Sequence, residues 1–316
     1  MKPTFIMMIG LPASGKSYIA EKLKKDFSAN IHSSDAIREE LSGDINNQDI
    51  NTEVFNLLHK RVKEDLQNGK SCIYDATNLN YKRRKAFLDE LKKIYCDKYA
   101  YLCATPYEIC IERNHNRDRS IPDYVIEKFY KSFTPPYWYE GWDAIEISYG
   151  ENLEFANYYG NIKTYIDSLF TFNQDNYHHN LSLGMHCNKA MELVKGLCWK
   201  EHNCIYLGEY TVLSNAALAH DIGKVDTKTF KNSKGEITDI AHYYSHEHVG
   251  SYKSLFFEYE APTNILDTSV LINWHMTPYF WEKDSNIKMQ EKYKKLWGKD
   301  LYSDIMILHE ADKYAH

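Results

Sequence analysis

Residues 10–17 read GLPASGKS and fit the phosphate-binding pattern G-x-x-x-x-G-K-[ST]. The two glycines of this pattern let backbone N–H groups curl around phosphate oxygens at the start of a helix. The lysine would reach the β- and γ-phosphates, and the last hydroxyl would be a ligand of Mg²⁺. The motif therefore predicts a site for a nucleoside triphosphate with Mg²⁺ and leaves the phosphoryl acceptor open. The expected ligands are Gly10, Ser14, Gly15, Lys16 and Ser17.

Two carboxylates stand where they could serve the acceptor. Asp35 follows the second predicted strand, and the carboxyl ends of strands line the ligand crevice of a doubly wound sheet. A carboxylate there can accept the proton of an attacking hydroxyl, and Arg38, one helical turn on, can hold an acceptor phosphate. Asp35 taken alone is more typical of a helix N-cap. Asp75 ends the third predicted strand and would orient the metal's water shell or contact the acceptor.

Basic residues follow in two groups. Residues 81–85 read YKRRK, and four consecutive charges cannot all lie on one helix face. One or two of them could meet a nucleic-acid backbone, while the others would form a solvated face. Arg113 and Arg117 are four residues apart, so they predict a shared helix face under an arginine-bearing lid over the triphosphate. The alternative interpretation of this spacing is a surface cationic pair.

The motifs GLPASGKS, SSDAIR, YDATNLNYKRR and RNHNR…IP, in this order, resemble the kinase domain of polynucleotide 5′-hydroxyl kinases over about residues 1–150. This resemblance implies ATP, or another nucleoside triphosphate, with Mg²⁺. It implies that Asp35 is the general base and that Arg117 clamps the ATP phosphates, with Arg113 beside it. Related P-loop folds phosphorylate small molecules, so the acceptor remains open. The substrate-binding residues implied are Asp35, Arg38, Asp75, Thr77, Asn78 and Arg83.

The C-terminal half carries a second group of candidate ligands, because eleven of the 14 histidines occur from residue 178 onward. Residues 219–224 read AHDIGK at the end of a predicted apolar helix, where adjacent His and Asp can both ligate one metal. This resembles the HDIGK form of the HD phosphohydrolase superfamily, with its pattern H…HD…D, over about residues 176–316. The metal ligands implied, for one or two ions, are His186, His220, Asp221, His246, His275 and Asp312.

Imidazole and carboxylate ligands suit divalent Mn, Fe, Ni, Co or Zn, and the residue types do not choose among them. Such an ion activates water for attack on phosphorus. Asp221 would then be catalytic as well as a ligand, Lys224 would steady the phosphate and His179 would contact the substrate. His178, His202, His248 and His316 are expected to be ordinary packed or surface histidines.

The elements that must position these residues divide the chain into two parts. Residues 1–150 alternate short apolar runs with amphipathic segments, which predicts an α/β P-loop kinase domain with a parallel sheet and helices on both faces. Residues 151–175 are predicted to be a linker helix. Only helical patterns follow, so residues 176–316 are predicted to form an all-α HD domain.

Composition narrows the classes of protein. The chain is 43% hydrophobic and 26% charged, as folded proteins are, and its net charge is −6. Residues 1–150 carry 22 Lys+Arg against 22 Asp+Glu, so no global basic field indicates nucleic-acid binding. Seven cysteines without a C-x-x-C pair predict reduced thiols, and no run approaches 18 apolar residues. A cytoplasmic protein without membrane contact is expected.

The preferred hypothesis is nucleic-acid end healing. It combines ATP-dependent phosphorylation of 5′-hydroxyl ends, RNA favoured over DNA, with metal-dependent hydrolysis of 2′,3′-cyclic or terminal 2′/3′-phosphates, and an RNA ligase would act downstream. The alternative is a small-molecule kinase, for a nucleoside or metabolite, with an HD nucleotide phosphohydrolase. Charge reversal at residues 82–85 would hurt only the polynucleotide kinase. A third hypothesis, an ATP-switched binding module, predicts that Asp35→Ala leaves function intact.

Overall fold

The computed structural model describes residues 2–117, 119–177, 180–201, 207–260, 264–283 and 285–315, the side chains of 199–201 and 207–209 excepted. The chain forms two compact units. Unit 1 comprises Met1–Phe129 and Pro136–Phe155, and unit 2 comprises Tyr130–Pro135 and Ala156–His316. These divisions differ from the predicted boundaries at residues 150 and 175, since the segment after Phe155 belongs to unit 2.

Unit 1 is built on a five-stranded parallel sheet, so the prediction of a parallel α/β sheet is confirmed. Its strand order is β2-β3-β1-β4-β5. The strands are β1 Thr4–Ile9, β2 Asn30–Ser33, β3 Cys72–Asp75, β4 Asp97–Cys103 and β5 Ala144–Ser148. The helices between them are α1 Lys16–Asp26, α2 Ser34–Ser42, α3 Asn51–Gln67, α4 Tyr81–Glu90, α5 Tyr107–His115 and α6 Asp123–Tyr130.

The strand register brings three strand ends to one edge of the sheet. Asp75 pairs with Met8 on one side and with Ser33 on the other. The phosphate loop, residues 10–17, leaves β1 two residues after Met8, and α2 begins directly after Ser33. Ligands of open α/β sheets bind at this carboxyl edge. The sheet therefore positions the loop and the carboxylates that follow β2 and β3 together.

The entry into the phosphate loop depends on a glycine. All six residues of β1 are apolar or buried, as a central parallel strand requires. A Cβ at Gly10 would lie 2.7 Å from the Ser14 hydroxyl and 2.9 Å from the Cys103 carbonyl oxygen. With a side chain at this position, the phosphate loop would have to move away from β4. Gly10 thus serves close approach of the backbone.

Helix α5 ends before the second of the two arginines that were predicted to share a helix face. Its last residue is His115, and Asn116 is its cap. Arg117 therefore lies beyond α5. The expectation that Arg113 and Arg117 share a helix face is wrong, because the helix has ended before the second arginine.

Unit 2 is helical but not all-α, which corrects that prediction. Thr229–Lys231 (β6) and Ile237–His242 (β7) pair antiparallel. The Asn232 side chain accepts hydrogen bonds from the backbone of Lys234 and Glu236, and this turn closes the hairpin. The helices are α7 Ile162–Ser168, α8 Leu183–Glu201, α9 Leu207–Ala219, α10 Lys224–Thr227, α11 His246–Lys253, α12 Ile265–Trp274, α13 Thr277–Lys283 and α14 Ile287–Tyr314.

The predicted linker helix is part of the unit 2 core. Helix α7 covers only Ile162–Ser168, and Ile162 and Ile166 are buried. It packs against α8. Because these apolar side chains need a partner surface, α7 joins the helical unit and does not stand free as a linker.

The last helix bends at Gly298, whose backbone has a φ of 79°. This break divides Ile287–Tyr314 into two helical segments. Within the described ranges, every helix is too short or too polar to span a bilayer.

Candidate active sites

The phosphate loop has the features of a triphosphate site. Lys16 is buried and its Nζ donates to the Leu11 carbonyl oxygen at 2.7 Å, across the loop. Burial lowers the pKa of Lys16, and the Asp75 charge opposes this shift. The Ser14 hydroxyl is buried without a hydrogen-bond partner in the described part of the chain. An orphaned donor and a confined ammonium at a helix N-terminus fit the phosphates of ATP.

Ser17 and Asp75 form the polar pair that fits Mg²⁺. The Ser17 hydroxyl donates to Asp75 Oδ2 at 2.7 Å. Burial raises the pKa of Asp75, while the hydrogen bond from Ser17 and the charge of Lys16 oppose the rise. Hydroxyl and carboxylate oxygens are the protein ligands that Mg²⁺ prefers beside phosphate oxygens.

Asp35 is held between two arginines. Arg38 Nη1 donates to its Oδ1 at 2.9 Å, and Arg119 Nη1 donates to its Oδ2 at 3.1 Å. The Arg38 side chain is 5% exposed, and its Nη2 donates to Asn51 Oδ1 at 2.8 Å. Its Nε is buried with no partner among the described residues. A buried guanidinium with a spare donor fits an anionic acceptor.

Arg119 is a residue that sequence reasoning missed. The sequence offered only its position, two residues after Arg117 in R-x-x-x-R-x-R. Its contact with Asp35 joins residues 84 positions apart, and no local spacing indicates such a contact.

Arg113 lies beside the phosphate loop. A Cβ built on Gly15 would be 3.8 Å from Arg113 Nη1, and the Arg113 guanidinium lies 5.5 Å from the Phe155 ring centroid. A cavity of about 260 Å³ opens there. Stacked apolar and cationic groups next to a triphosphate loop fit a nucleobase. Residues lining the cavity include Ser14, Tyr18, Arg113, Tyr149, Asn152 and Phe155.

Arg117 is exposed and donates to Asn114 Oδ1 at 3.5 Å. Asn114 is buried and exchanges two hydrogen bonds with the backbone of Ile121, at 2.7 and 3.0 Å. Asn114 therefore closes the segment that carries Arg117 and Arg119. The predicted phosphate clamp by Arg117 stays a prediction.

Residues 75–78, which read DATN, support the phosphate loop. The Asn78 side chain donates to the Met8 carbonyl oxygen at 2.8 Å, and Gly10 N donates to the Thr77 carbonyl oxygen at 3.0 Å. Both residues are thus bonded to the backbone around the loop, and their predicted contacts with substrate stay predictions. Of the basic run, Arg83 is exposed, whereas Arg84 is buried and unavailable to an acceptor.

Six candidate metal ligands converge in unit 2. His220 and Asp221 follow α9, and the other four come from or next to four further helices. All six side chains are buried. Gly223 permits this convergence, because a Cβ there would collide with the His246 carbonyl oxygen at the start of α11. The ligands form two groups, His186, His220, Asp221 and Asp312, and Asp221, His246 and His275. We call them together the histidine–aspartate cluster.

Asp221 belongs to both groups through different oxygens. Its Oδ2 lies 3.4 Å from both His186 Nε2 and His220 Nε2. Its Oδ1 lies 3.2 Å from His246 Nε2 and 3.8 Å from His275 Nε2. This geometry fits a carboxylate shared by two metal ions.

The histidine rings are fixed with their Nε2 atoms turned toward the other ligands of the cluster. In each of the four rings, Nδ1 lies 2.7–3.0 Å from a backbone carbonyl oxygen. Because a carbonyl can only accept, Nδ1 carries the proton in each of these contacts. Such an outer hydrogen bond is the usual support of a metal-bound imidazole.

Electrostatics within the cluster favour charged carboxylates. Burial alone would raise the pKa of Asp221, but the charges of Lys224 and His220 outweigh it and lower that pKa well below the usual range. Burial would likewise lower the pKa of His220, but the Asp221 and Asp312 carboxylates raise it. His275 behaves differently from His220, because burial and the His220 charge lower the pKa of His275 to about 4.

Lys224 and Tyr279 hold the two carboxylates. Lys224 Nζ lies 2.6 Å from Asp221 Oδ2 and donates to Gln174 Oε1 at 2.9 Å. The Tyr279 hydroxyl donates to Asp312 Oδ2 at 3.0 Å. The structure thus places Lys224 on a cluster ligand, and its predicted contact with phosphate stays a prediction. His179 lies outside the described residues.

The first part of the chain is similar to known proteins. Residues 5–136 match the family model described as an AAA domain. Over 148 residues the chain is 26% identical to L-seryl-tRNA(Sec) kinase of Methanococcus maripaludis, covering 45% of this chain and 57% of that protein. Over 152 residues it is 26% identical to Protein kti12 of Schizosaccharomyces pombe, covering 44% and 54%. The chain spans little more than half the length of these relatives.

Two solved structures are similar to this chain at lower sequence identity than these relatives. A chain of the Pnkp1/Rnl/Hen1 RNA repair complex has a TM-score of 0.35 and 21% identity, over 40% of this chain and 43% of that chain. A gluconokinase from Sinorhizobium meliloti 1021 has a TM-score of 0.34 and 16% identity, over 46% and 81%. The family match, the phosphate loop and the parallel sheet support a P-loop, kinase-like domain, and a helical C-terminal region follows it.

Proposed function

We propose that the protein heals nucleic-acid ends. Unit 1 would phosphorylate 5′-hydroxyl ends of RNA, or of DNA, from ATP. Unit 2 would be an HD-type phosphohydrolase that removes 2′,3′-cyclic or terminal 2′/3′-phosphates. The observation that carries the proposal is the single sheet edge shared by the phosphate loop, Asp75 and Asp35, where Asp35 is flanked by Arg38 and Arg119. The carboxylate can accept the proton of a hydroxyl group, and the arginines beside it can bind an acceptor molecule that is itself anionic.

In the kinase step, the phosphate loop holds the triphosphate through its backbone N–H groups and Lys16. Mg²⁺, when bound, neutralises charge on the phosphate oxygens, and Ser17 and Asp75 would hold it. Asp35 accepts the proton of the 5′-hydroxyl as that oxygen bonds to the γ-phosphorus. The bond from the γ-phosphorus to the bridging oxygen breaks, and ADP leaves. Arg113 would hold the nucleoside in the adjoining cavity.

Several features favour a polynucleotide acceptor over a metabolite. The Arg38 Nε is buried without a partner in the described structure, so it can bind an anionic oxygen next to the reacting hydroxyl. Arg83 is exposed at the start of α4. One curated relative is a kinase whose name specifies an acceptor carried on tRNA. Arg38 would therefore orient the acceptor, and Arg83 would contact its backbone.

In unit 2 the residues would hold one or two divalent ions of Mn, Fe, Ni, Co or Zn. Such ions, when bound, would polarise phosphate oxygens and activate water. Each of the four imidazoles has its Nδ1 proton on a backbone carbonyl oxygen and its Nε2 turned toward the other cluster ligands, where a bound ion would take the place of any Nε2 proton. Lys224 and Tyr279 fix the orientation of Asp221 and Asp312. Together the two activities would leave a 5′-phosphate and a 3′-hydroxyl, the ends that an RNA ligase joins.

The test of the kinase is transfer of label from γ-labelled ATP to a 5′-hydroxyl RNA oligonucleotide. The wild type should label the RNA, and Asp35→Asn, which keeps the shape of the side chain, should lose about 10²–10⁴-fold in rate, the size of general-base catalysis. Glu90→Gln is the matched control on the surface of α4 and should label normally. Slow ATP hydrolysis with no RNA labelling would contradict the proposal and favour the small-molecule alternative.

The test of the hydrolase is release of phosphate from a 3′-phosphate RNA, and ring opening of a 2′,3′-cyclic end, with added Mn²⁺. Asp221→Asn should abolish both while the kinase activity persists. If free nucleotides are hydrolysed and RNA ends are untouched, the end-healing role of unit 2 is wrong.

A further inference from the structure

The Arg119 guanidinium makes two hydrogen bonds that anchor it and a third, to Asp35, that can be exchanged. Its Nε donates to Asn46 Oδ1 at 2.8 Å, and its Nη2 donates to the Ile45 carbonyl oxygen at 3.2 Å. These two contacts anchor the guanidinium to the segment between α2 and α3. Its Nη1 donates to Asp35 Oδ2 at 3.1 Å. The anchored edge sets the position of the Nη1 edge, which faces the carboxylate that receives the acceptor's proton.

The contact between Arg119 and Asp35 is of the kind that breaks easily. The Arg119 side chain is 33% exposed and the Asp35 side chain is 51% exposed. Ion pairs at such exposure contribute little, because water screens both charges. Arg38, by contrast, is only 5% exposed and also binds Asn51, so it stays in place. Of the two arginine contacts with Asp35, the one from Arg119 Nη1 is therefore the one that another anion can replace.

The acceptor itself would bring that anion. In a polynucleotide, the phosphate nearest to a 5′-hydroxyl is the one on the 3′-oxygen of the same nucleoside. A guanidinium 3.1 Å from Asp35 is within reach of this phosphate when the hydroxyl touches the carboxylate. Arg119 Nη1 can donate a charge-assisted hydrogen bond to a phosphate oxygen as it does to the carboxylate of Asp35, and an acceptor bound at Asp35 would hold its phosphate beside this nitrogen.

We propose that Arg119 binds the first internal phosphodiester of a 5′-hydroxyl polynucleotide and moves to it from Asp35. This inference rests on the proposed kinase function and names how its acceptor is recognised. Arg119 is thus a specificity-determining residue. It makes the kinase select acceptors with a charged first linkage, and its departure leaves Asp35 Oδ2 open to the hydroxyl proton. A nucleoside or an uncharged analogue would leave Arg119 on Asp35.

The test uses two synthetic 5′-hydroxyl oligonucleotides of one sequence. One has a natural first phosphodiester, and the other has an uncharged methylphosphonate at that linkage. The wild type should prefer the natural acceptor by about tenfold or more in kcat/KM, the size of one hydrogen bond to a charged group. Arg119→Gln should lower this ratio clearly, mainly by raising KM for the natural acceptor, and Arg38 should keep the remaining preference. Arg119→Lys, which keeps the charge, should restore part of the preference.

Arg61→Gln is the matched control, since Arg61 makes its two-point pair with Glu40 and does not touch Asp35. It should keep the wild-type ratio. An Arg119→Gln enzyme that keeps the preference overturns the inference, and so does an equal loss on both acceptors, which a structural role alone would produce. If the wild type labels neither oligonucleotide, the proposed kinase function itself fails. The wild-type reaction therefore separates the two failures.

Discussion

Arg84 and Glu140 form a two-point ion pair in which both side chains are fully buried. Arg84 Nε donates to Glu140 Oε2 at 2.8 Å, and Nη2 donates to Oε1 at 2.7 Å. Trp142 Nε1 donates to the same carboxylate at 3.1 Å, and Arg84 Nη1 donates to the Asn78 carbonyl oxygen at 2.9 Å. The pair thus ties the segment before β5 to the loop that holds the phosphate loop in place.

Loss of one partner should destabilise unit 1 strongly. Arg84→Met leaves a buried carboxylate without its counter-charge, and we expect the free energy of unfolding to fall by about 3–5 kcal/mol. The double variant Arg84→Met with Glu140→Leu should recover much of this, since no charge is then left unpaired. Chemical denaturation of the two single variants and the double variant measures the coupling.

The control for that pair is the exposed Arg61–Glu40 pair, which has the same two-point geometry. With side chains 34% and 52% exposed, it should contribute much less to stability than the buried pair, because water screens both charges. Equal losses in Arg84→Met and Arg61→Met would show that burial does not set the strength of the first pair.

The histidine–aspartate cluster should hold two ions per chain, because its ligands fall into two groups. Replacing His246 and His275 with Gln should remove one ion and leave the other. Asp221→Asn should weaken both, since each of its oxygens faces one group. Metal content after loading with Mn²⁺ and dialysis, measured by mass spectrometry, gives the stoichiometry.

His242→Gln is the control for metal content, because His242 stacks on Tyr244 and belongs to neither group. It should bind as much metal as the wild type. Chelation should also lower the melting temperature of unit 2, as removal of any ligand of the folded state does. Loss of a single ion in Asp221→Asn would contradict the shared carboxylate.

His59 should make unit 1 less stable in acid. Burial lowers its pKa, against the opposing charge of Glu90 at 3.5 Å, and it also packs on Tyr74 and Phe87. The unfolded chain therefore binds the proton more readily than the folded one. The stabilisation is complete above the unfolded pKa of about 6.5 and is lost as the pH falls below it.

The test for His59 compares the wild type with His59→Gln in denaturation at several pH values. The difference in free energy of unfolding should be constant above about pH 7.5 and should shift against the wild type toward pH 5. Only the slope matters, because the packing lost in the variant does not depend on pH. If the difference in free energy of unfolding does not change with pH, or if the wild type becomes relatively more stable in acid, the lowered pKa of His59 is wrong.

The sequence predicted the contiguous motifs of both sites but not the residues that reach them from distant parts of the chain. The phosphate loop and the HDIGK segment are contiguous motifs whose residue types are dictated by phosphate and metal chemistry. The parallel sheet followed from alternating patterns. Arg119 and Arg84 were not predictable, because their partners lie 84 and 56 positions away in the chain. Tyr279, which supports Asp312 over 33 positions, was missed for the same reason. The β6–β7 hairpin was not predicted, because its strands are only 3 and 6 residues long.

Gly10 should be necessary for ATP binding more than for folding. In Gly10→Ala, the new methyl group would meet the Cys103 carbonyl oxygen and the Ser14 hydroxyl, so the phosphate loop must move away from β4. Backbone N–H groups that no longer converge bind phosphate less well, and we expect the ATP Kd to rise about tenfold or more, equivalent to about 1.4 kcal/mol.

Gly69→Ala is the matched control for Gly10→Ala. Gly69 also has a backbone that disfavours alanine, with a φ of +73°, but its Cβ would meet nothing within 4 Å. It should lose about 1 kcal/mol of stability without any change in ATP affinity, measured by calorimetric titration. Because both variants carry a backbone penalty, only the contact with Cys103 and Ser14 distinguishes them. Equal ATP affinities would mean that the close approach at Gly10 does not shape the phosphate loop.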